Sequence, residues 1–111
     1  MEIKIKSEPD GRMMEAFFNG SLIAKSDKTI VVEKNHYFPP SAIKKEFFKK
    51  SDEKSICPWK GEAAYYDVVV DGKTGEGSAW YYPEPKSIAE PIKNYVAFWR
   101  GVEVKEAEQG E

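Results

Sequence analysis

CPWKGEAAYYDVVV, residues 57–70, is the stretch that decides the fold, because a rigid turn in it leads directly into a strand. Proline fixes its own φ angle and glycine allows backbone angles that other residues avoid, so Pro58 and Gly61 predict a defined turn. The turn presents a tryptophan and Lys60, and the chain's one cysteine, Cys57, stands at its start. The residues after the turn are rich in aromatic and β-branched types, which indicates a strand.

The segment after this strand predicts a hairpin. Residues 71–77 (DGKTGEG) are typical of a turn and separate the predicted strands 63–70 and 78–82. A six-residue loop would set Val70 opposite Gly77, Tyr65 opposite Tyr82, and Asp67 opposite Trp80. One face would then be aromatic with a single carboxylate, and the other face would be core. A slip of one residue would exchange the faces, so this register is a hypothesis.

The rest of the chain predicts further antiparallel strands. Ile3 and Ile5 alternate with charged residues and predict an edge strand. Asn19-Gly20 predicts a two-residue hairpin turn, because both residues tolerate positive φ. A tight turn there would set Phe17 opposite Leu22 and Ala16 opposite Ile23. Additional strands are predicted over residues 29–33, 95–99 and 102–104.

Residues 41–50 are the strongest candidate for a helix. Two prolines precede the segment, Ser41 can cap it, and Ile43 and Phe47 lie one turn apart. Its lysines at positions 44, 45, 49 and 50 form either a basic patch for a phosphate-bearing partner or a solvated face, which is the commoner case. A single helical turn is expected over residues 87–93. We predict a mainly β (α+β) fold, a compact antiparallel β domain with one short helix packed on it.

The composition fits one small domain. The chain has 111 residues, 17 Lys and Arg, 19 Asp and Glu, and a formal net charge of −2, so no global positive field would attract nucleic acid or an anionic membrane. We expect a single domain over residues 1–104 and a polar, disordered tail over residues 105–111. The sequence shows no signal-peptide core or membrane-spanning run, which predicts a cytoplasmic protein. One cysteine and one histidine are too few for a structural zinc site, although carboxylates could still bind a hard cation. We expect no metal or cofactor.

Three residues could carry chemistry. Lys60 could bind a carboxylate or phosphate, or it could form an ion pair with Glu33 or Glu62. Cys57 could be a nucleophile that the nearby ammonium activates, but the one histidine, His36, lies far upstream, and we favour a small buried residue. Glu33 could act as a general base or orient Lys60, but we favour a surface charge at a strand end.

Several motifs together resemble the family catalogued as Domain of Unknown Function 427. The most specific is Cys-Pro-aromatic-Lys-Gly followed by Ala-x-Tyr-Tyr, within residues 55–66. The resemblance implies a β-tent-like fold and a common site. Many β-tent proteins hold zinc with paired Cys-x-x-Cys motifs, which this chain lacks. The family's nucleotidyltransferase-like label finds no support either, because neither a Gly-Ser pair opening a helix nor an Asp-x-Asp pair is present. The other matching segments are residues 18–20, 23–26, 33, 37–39, 79–85 and 92–99. The residues that this resemblance assigns to the common site are Glu33, Tyr37, Cys57, Lys60, Tyr65 and Trp80.

Two hypotheses about function follow. In the first, the domain binds a small anionic ligand in an aromatic-lined groove anchored by Lys60. The other residues assigned to this groove are Trp59, Tyr65, Trp80, Tyr82, Tyr37 and Glu33. In the second, exposed aromatic residues form a non-catalytic protein–protein interface or a homodimer contact. A concave pocket around Lys60 would favour the first, and a flat aromatic face remote from it would favour the second. If the protein is an enzyme, Cys57 or Glu33 would be catalytic.

Overall fold

The computed structural model describes residues 11–107, which form nine strands and three short 3₁₀ segments. The edge strand predicted at Ile3 and Ile5 lies outside the described residues. The fold is mainly β, as predicted. The strands are β1 (Met14–Phe18), β2 (Ser21–Ser26), β3 (Ile30–Val32), β4 (Asn35–Tyr37), β5 (Phe48–Cys57), β6 (Gly61–Val70), β7 (Lys73–Tyr81), β8 (Val96–Phe98) and β9 (Glu103–Glu106). The 3₁₀ segments are Pro40–Ala42, Lys45–Phe47 and Ser87–Ile92.

The strands form three antiparallel sheets, in the orders β2-β1-β9, β3-β4 and β5-β6-β7-β8. The four-stranded sheet carries apolar side chains on both faces, because successive side chains of a strand point to opposite sides. One face, with Val68 and Phe98, packs against β1 and β2. The other face, with Tyr65 and Ala97, packs against the β3–β4 hairpin and Ser87–Ile92. This central sheet therefore separates two apolar clusters.

The β1–β2 hairpin confirms the predicted turn. Asn19 and Gly20 have φ angles of 50° and 81°, the left-handed values that a two-residue turn of this kind needs. Phe17 pairs with Leu22 as predicted. A bulge between Ala16 and Phe17 then shifts the register, so Ala16 pairs with Ala24 instead of Ile23.

The helix predicted over residues 41–50 is wrong. Residues 40–42 and 45–47 form single 3₁₀ turns, and Phe48 already begins β5. Contacts with distant strands explain the difference: the Lys44 N–H donates to the carbonyl oxygen of Ile23 at 2.8 Å, and Phe48 pairs with Val68 of β6. This pairing covers an edge of the buried strand β6, and it overrides the local helix signals.

The β6–β7 hairpin forms, but its loop is shorter than predicted. Asp71 and Gly72 alone make the turn, with φ angles of 49° and 80°. Val70 therefore pairs with Lys73 instead of Gly77, a shift of the predicted partner by four residues. The Asp-Gly pair supports positive φ at both positions, and it closes the hairpin earlier than the glycine-rich segment suggested.

A second irregularity changes the predicted partners in the middle of this hairpin. The register shifts between Tyr66 and Val68, and Tyr65 pairs with Trp80 instead of Tyr82. Asp67, predicted opposite Trp80, instead accepts a hydrogen bond from the N–H of Gly77 at 2.8 Å. The shift at Tyr65 is two residues, an even number, so the tyrosine and its partner tryptophan keep the predicted face.

The segment predicted as a strand over residues 29–33 is shorter than expected. Strand β3 ends at Val32, and Glu33 and Lys34 form the turn into β4. Both turn residues have positive φ angles, 52° and 70°, which only Gly, Asn and Asp adopt readily. Glu33 therefore lies at the tip of a tight hairpin, a conformation that its residue type does not indicate.

Strand β9 moves the predicted end of the domain. Glu103–Glu106 pairs with β1, and the N–H of Ala107 donates to the carbonyl oxygen of Met13 at 2.8 Å. Lys105 and Glu106, which the prediction assigned to the tail, therefore belong to the sheet. The reason is that β9 completes the free edge of β1 while Val104 packs on the core. The rest of the predicted tail, residues 108–111, lies outside the described residues.

Candidate functional site

A cavity of about 320 Å³ opens on the face of the central sheet that carries Tyr65 and Trp80. We call it the Lys60 cavity. Its volume lies at the lower end of the range for small-molecule sites, roughly 300–1,000 Å³. The β3–β4 hairpin contributes one wall, and the strands β6 and β7 contribute the floor. The lining residues are Glu33, Asn35, Tyr37, Lys60, Tyr65, Trp80, Tyr82 and Trp99.

Lys60 supplies a buried positive charge to this cavity. Within residues 11–107 it is the one charged residue that is buried, at 5% exposure. Its Nζ donates to Oε1 of Glu33 and lies 4.8 Å from the ring centroid of Trp59 and 5.8 Å from that of Tyr82. A buried charge is costly unless it is paired, and here a carboxylate and two aromatic faces compensate it.

The turn found in the sequence fixes the position of this lysine. Gly61 has a φ angle of 118°, which other residues rarely adopt, and the carbonyl oxygen of Lys60 accepts a hydrogen bond from the N–H of Lys86 at 2.9 Å. An added Cβ at Gly61 would meet the backbone of residues 84–86 at 3.4 Å. The backbone of Lys60 and Gly61 is therefore held against residues 84–86, a segment distant in sequence.

Glu33 is the exposed partner of this ion pair. Its side chain is 55% exposed, whereas that of Lys60 is 7% exposed. The residue lies in the left-handed region, which costs a non-glycine residue about 1 kcal/mol or more. The pair is thus asymmetric: water can solvate the carboxylate if it leaves, but it reaches the ammonium poorly.

Aromatic side chains with polar groups form the remaining walls. The indole N–H of Trp80 donates to the hydroxyl of Tyr37 at 3.1 Å, and the two rings meet edge to face at 6.1 Å. The hydroxyl of Tyr65 lies 2.8 Å from Oγ of Ser55. Trp99 is 40% exposed and stands edge to face with Trp80 at 5.3 Å. These contacts fix the orientation of the rings, so the walls of the cavity are rigid.

Burial changes the acid–base behaviour of two tyrosines in this cavity. It raises the pKa of Tyr37, although the hydrogen bond from Trp80 and the charge of Lys60 act in the opposite direction. Burial also raises the pKa of Tyr82, with a further contribution from the neighbouring Tyr37. Both phenols therefore remain protonated well into the alkaline range and can act as hydrogen-bond donors.

We expect the protein to lose stability steeply above about pH 10. Burial raises the pKa of Tyr37, Tyr66 and Tyr82 above the ordinary value of 10.0, so the unfolded chain releases these protons first. The stabilisation is fully present below pH 10.0 and is lost as the pH rises toward the folded-state pKa values. Melting temperatures from circular dichroism across this range test the expectation. The slope should become shallower in Tyr82→Phe, and an unchanged slope would contradict it.

The two candidate catalytic residues occupy different places. Glu33 lines the cavity, as described above. Cys57 is half-buried and packs against the apolar cluster behind it, and it is not among the lining residues. His36 lies between Asn35 and Tyr37, whose side chains line the cavity, so strand alternation directs it to the other side. Its Nδ1 lies 2.8 Å from Oγ1 of Thr29.

The structure brings most of the predicted ligand-binding residues together and adds two. Trp59 packs against the ammonium of Lys60 and is not among the lining residues. Asn35 and Trp99 were not predicted. Asn35 lies two residues before Tyr37, so strand alternation could have placed both on one face. Trp99 follows directly after β8, and no sequence signal showed that it turns toward the cavity. The predicted residues that do line it are Glu33, Tyr37, Lys60, Tyr65, Trp80 and Tyr82.

The described part of the chain lacks two features that would point to other functions. Residues 11–107 contain no group of three or more His, Cys, Asp or Glu side chains placed to hold a metal ion. None of the helical segments in the same range has the length and apolarity needed to cross a membrane.

Comparison with known protein families identifies a match over nearly the whole chain. A family described as "Domain of unknown function (DUF427)" matches residues 6–110, nearly the whole sequence. No curated protein matches the chain. The matched range contains every described strand and all residues that line the Lys60 cavity. The chain therefore belongs to the DUF427 family.

Proposed function

We propose that the protein binds a small ligand that has a planar ring and a negatively charged group in the Lys60 cavity. The ring packs against Trp80 and Trp99, and the charged group pairs with Lys60. The observation that carries the proposal is a buried ammonium beside a concave aromatic wall, with a counter-ion that is itself exposed. Mostly aromatic walls with a few placed polar groups are typical of small-molecule sites.

The shape of the site favours this function over a protein interface. A flat aromatic face remote from Lys60 would have suited an interface, whereas Tyr65, Trp80 and Tyr82 line a cavity together with the lysine. Tyr65 and Tyr82 are buried, at 6% and 5% exposure, so they offer little area to a partner protein. Trp99 alone among these aromatic residues is exposed.

The negative charge of the ligand follows from the asymmetry of the ion pair. A ligand anion that reaches Lys60 must replace the carboxylate of Glu33, which can move into water because its side chain is 55% exposed. The ammonium then stays paired, because the ligand anion takes the place of the carboxylate. A neutral ligand would leave the existing pair in place and gain no charge-assisted contact.

Titration with matched probes tests the charge requirement. We expect benzoate and phenyl phosphate to bind more tightly than benzyl alcohol by about tenfold or more, because a hydrogen bond to a charged group contributes about 1.5–3 kcal/mol. Calorimetry gives the affinities, and the indole N–H signals of Trp80 and Trp99 in NMR spectra report the location. Equal affinity for the alcohol and the anions would remove Lys60 as the anchor.

Removing the competing carboxylate sharpens the test. In Glu33→Gln we expect tighter benzoate binding, by about threefold to tenfold, because the anion no longer displaces a charged partner. Glu62→Gln is the matched control, since this exposed carboxylate lies on β6 outside the cavity lining. Weaker binding in Glu33→Gln would mean that the carboxylate contacts the ligand directly, and the displacement idea would be wrong.

A further inference from the structure

A second cavity, of about 390 Å³, opens on the opposite face of the central sheet. We call it the Tyr66 cavity. It lies beside the other apolar cluster and takes its lining from the 3₁₀ segments before β5 as well as from the sheet. None of its lining residues is shared with the Lys60 cavity. The lining residues are Pro40, Ile43, Lys45, Phe48, Lys50, Tyr66, Tyr81, Asn94 and Val96.

The floor of this cavity is a fixed aromatic surface. The rings of Tyr66 and Tyr81 are stacked, with centroids 4.6 Å apart and planes inclined by 21°. Phe48 stands edge to face with Tyr66 at 5.6 Å. All three side chains are half-buried, so part of each ring remains open to an apolar group. Such a floor suits a ring or a short alkyl chain.

The rim of the cavity carries positive charge, and no ion pair within residues 11–107 neutralises it. Lys45 and Lys50 both line it and are exposed. Neither ammonium forms an ion pair with another residue within 11–107. None of the described lining residues is a carboxylate, so in this part of the chain the cavity combines two lysine ammonium groups with an apolar floor. Lys60 differs from these two lysines, because its ammonium is already paired with the carboxylate of Glu33.

We propose that the Tyr66 cavity is a second ligand site and binds an amphipathic anion, a carboxylate attached to an aryl or alkyl group. The apolar part lies on Phe48, Tyr66 and Tyr81. The carboxylate lies between the ammonium groups of Lys45 and Lys50. Charge complementarity selects an anion, and the aromatic floor selects one with an apolar body over a small inorganic ion.

Two pairs of lysines in the same segment allow a matched test of this site. Lys45 and Lys50 line the cavity, whereas their neighbours Lys44 and Lys49, also exposed, do not. The double variants Lys45→Ala/Lys50→Ala and Lys44→Ala/Lys49→Ala therefore remove the same charge from the same segment. The probe is 4-phenylbutyrate, and 4-phenylbutanol is its neutral counterpart. The full chain is titrated by NMR, with the backbone amides of Tyr66, Tyr81 and Asn94 as reporters.

We expect 4-phenylbutyrate to shift these amide signals and to bind more weakly, by about fivefold to tenfold, in the variant that lacks Lys45 and Lys50. The variant that lacks Lys44 and Lys49 should change the affinity by less than about twofold. Equal losses in both variants would show a general charge effect and overturn the site. Equal affinity for the alcohol would show that the site does not require a negative charge on the ligand, which contradicts the proposal. Signal changes confined to Trp80 and Trp99 would place the probe in the Lys60 cavity instead.

Discussion

Replacement of Phe38 by alanine is expected to lower the free energy of unfolding by about 3–5 kcal/mol. Phe38 is 0% exposed, and its ring meets that of Phe98 at 5.4 Å. Its backbone exchanges two hydrogen bonds with Val96, at 2.7 and 2.8 Å, which tie β4 to β8. The substitution leaves a cavity in the apolar cluster next to these two hydrogen bonds. The loss is large, because the total free energy of unfolding of a small domain is only about 5–15 kcal/mol.

Phe17→Ala is the control for this prediction. It deletes the same ring from β1, where Phe17 is half-buried and contacts the ammonium of Lys105 at 5.0 Å. We expect a loss of about 1 kcal/mol there. Urea unfolding followed by circular dichroism measures both variants. Similar losses in the two would contradict the assignment of Phe38 to the core.

The second large effect is expected on binding. Lys60→Met should weaken benzoate binding by about 100-fold, because the anion loses the buried ammonium that pairs with it. Methionine has a similar length and suits the apolar surroundings of Trp59 and Tyr82. The stability should change by less than about 1.5 kcal/mol, because the carboxylate of Glu33 is exposed and water can solvate it after the lysine is removed.

The proposal requires that Lys60→Met lose affinity for benzoate while its free energy of unfolding changes little. Lys54→Met, at an exposed position of β5, is the control and should leave the benzoate affinity unchanged. Calorimetric titration and urea unfolding on the same samples give both quantities. If Lys60→Met is folded and still binds benzoate as tightly as the parent chain, the ligand is anchored elsewhere.

The sequence predicted which side chains share a face better than it predicted which residues pair. Tyr65 and Trp80 were placed on the aromatic face with the wrong partners, and the faces survived because the register error was even. The alternation of apolar and polar residues indicates which side of a strand is buried. It does not indicate where the turn lies, and Asp71-Gly72 form the turn earlier in the chain than the glycine-rich segment suggested.

Long-range pairing explains what the sequence could not predict. Residues 41–50 carry good local helix signals, but the end of this segment pairs with an edge of β6, where Phe48 lies opposite Val68. The pairing with a distant strand therefore prevents the helix. Glu33 was assigned to a strand end because nothing in its residue type indicates a left-handed turn. The turn that presents Lys60 could be predicted, because proline and glycine flank it and constrain the backbone through local geometry alone.

The central sheet has a consequence for how the two cavities can change during evolution. Tyr65 and Tyr66 are neighbours in the chain, as are Trp80 and Tyr81, yet each pair divides its members between the two cavities. A side-chain substitution at one of these four positions alters the lining of one cavity and leaves the lining of the other intact. An insertion or deletion of one residue in β6 or β7 would exchange the walls and damage both at once. These strands can therefore diversify by substitution but not by changes in length.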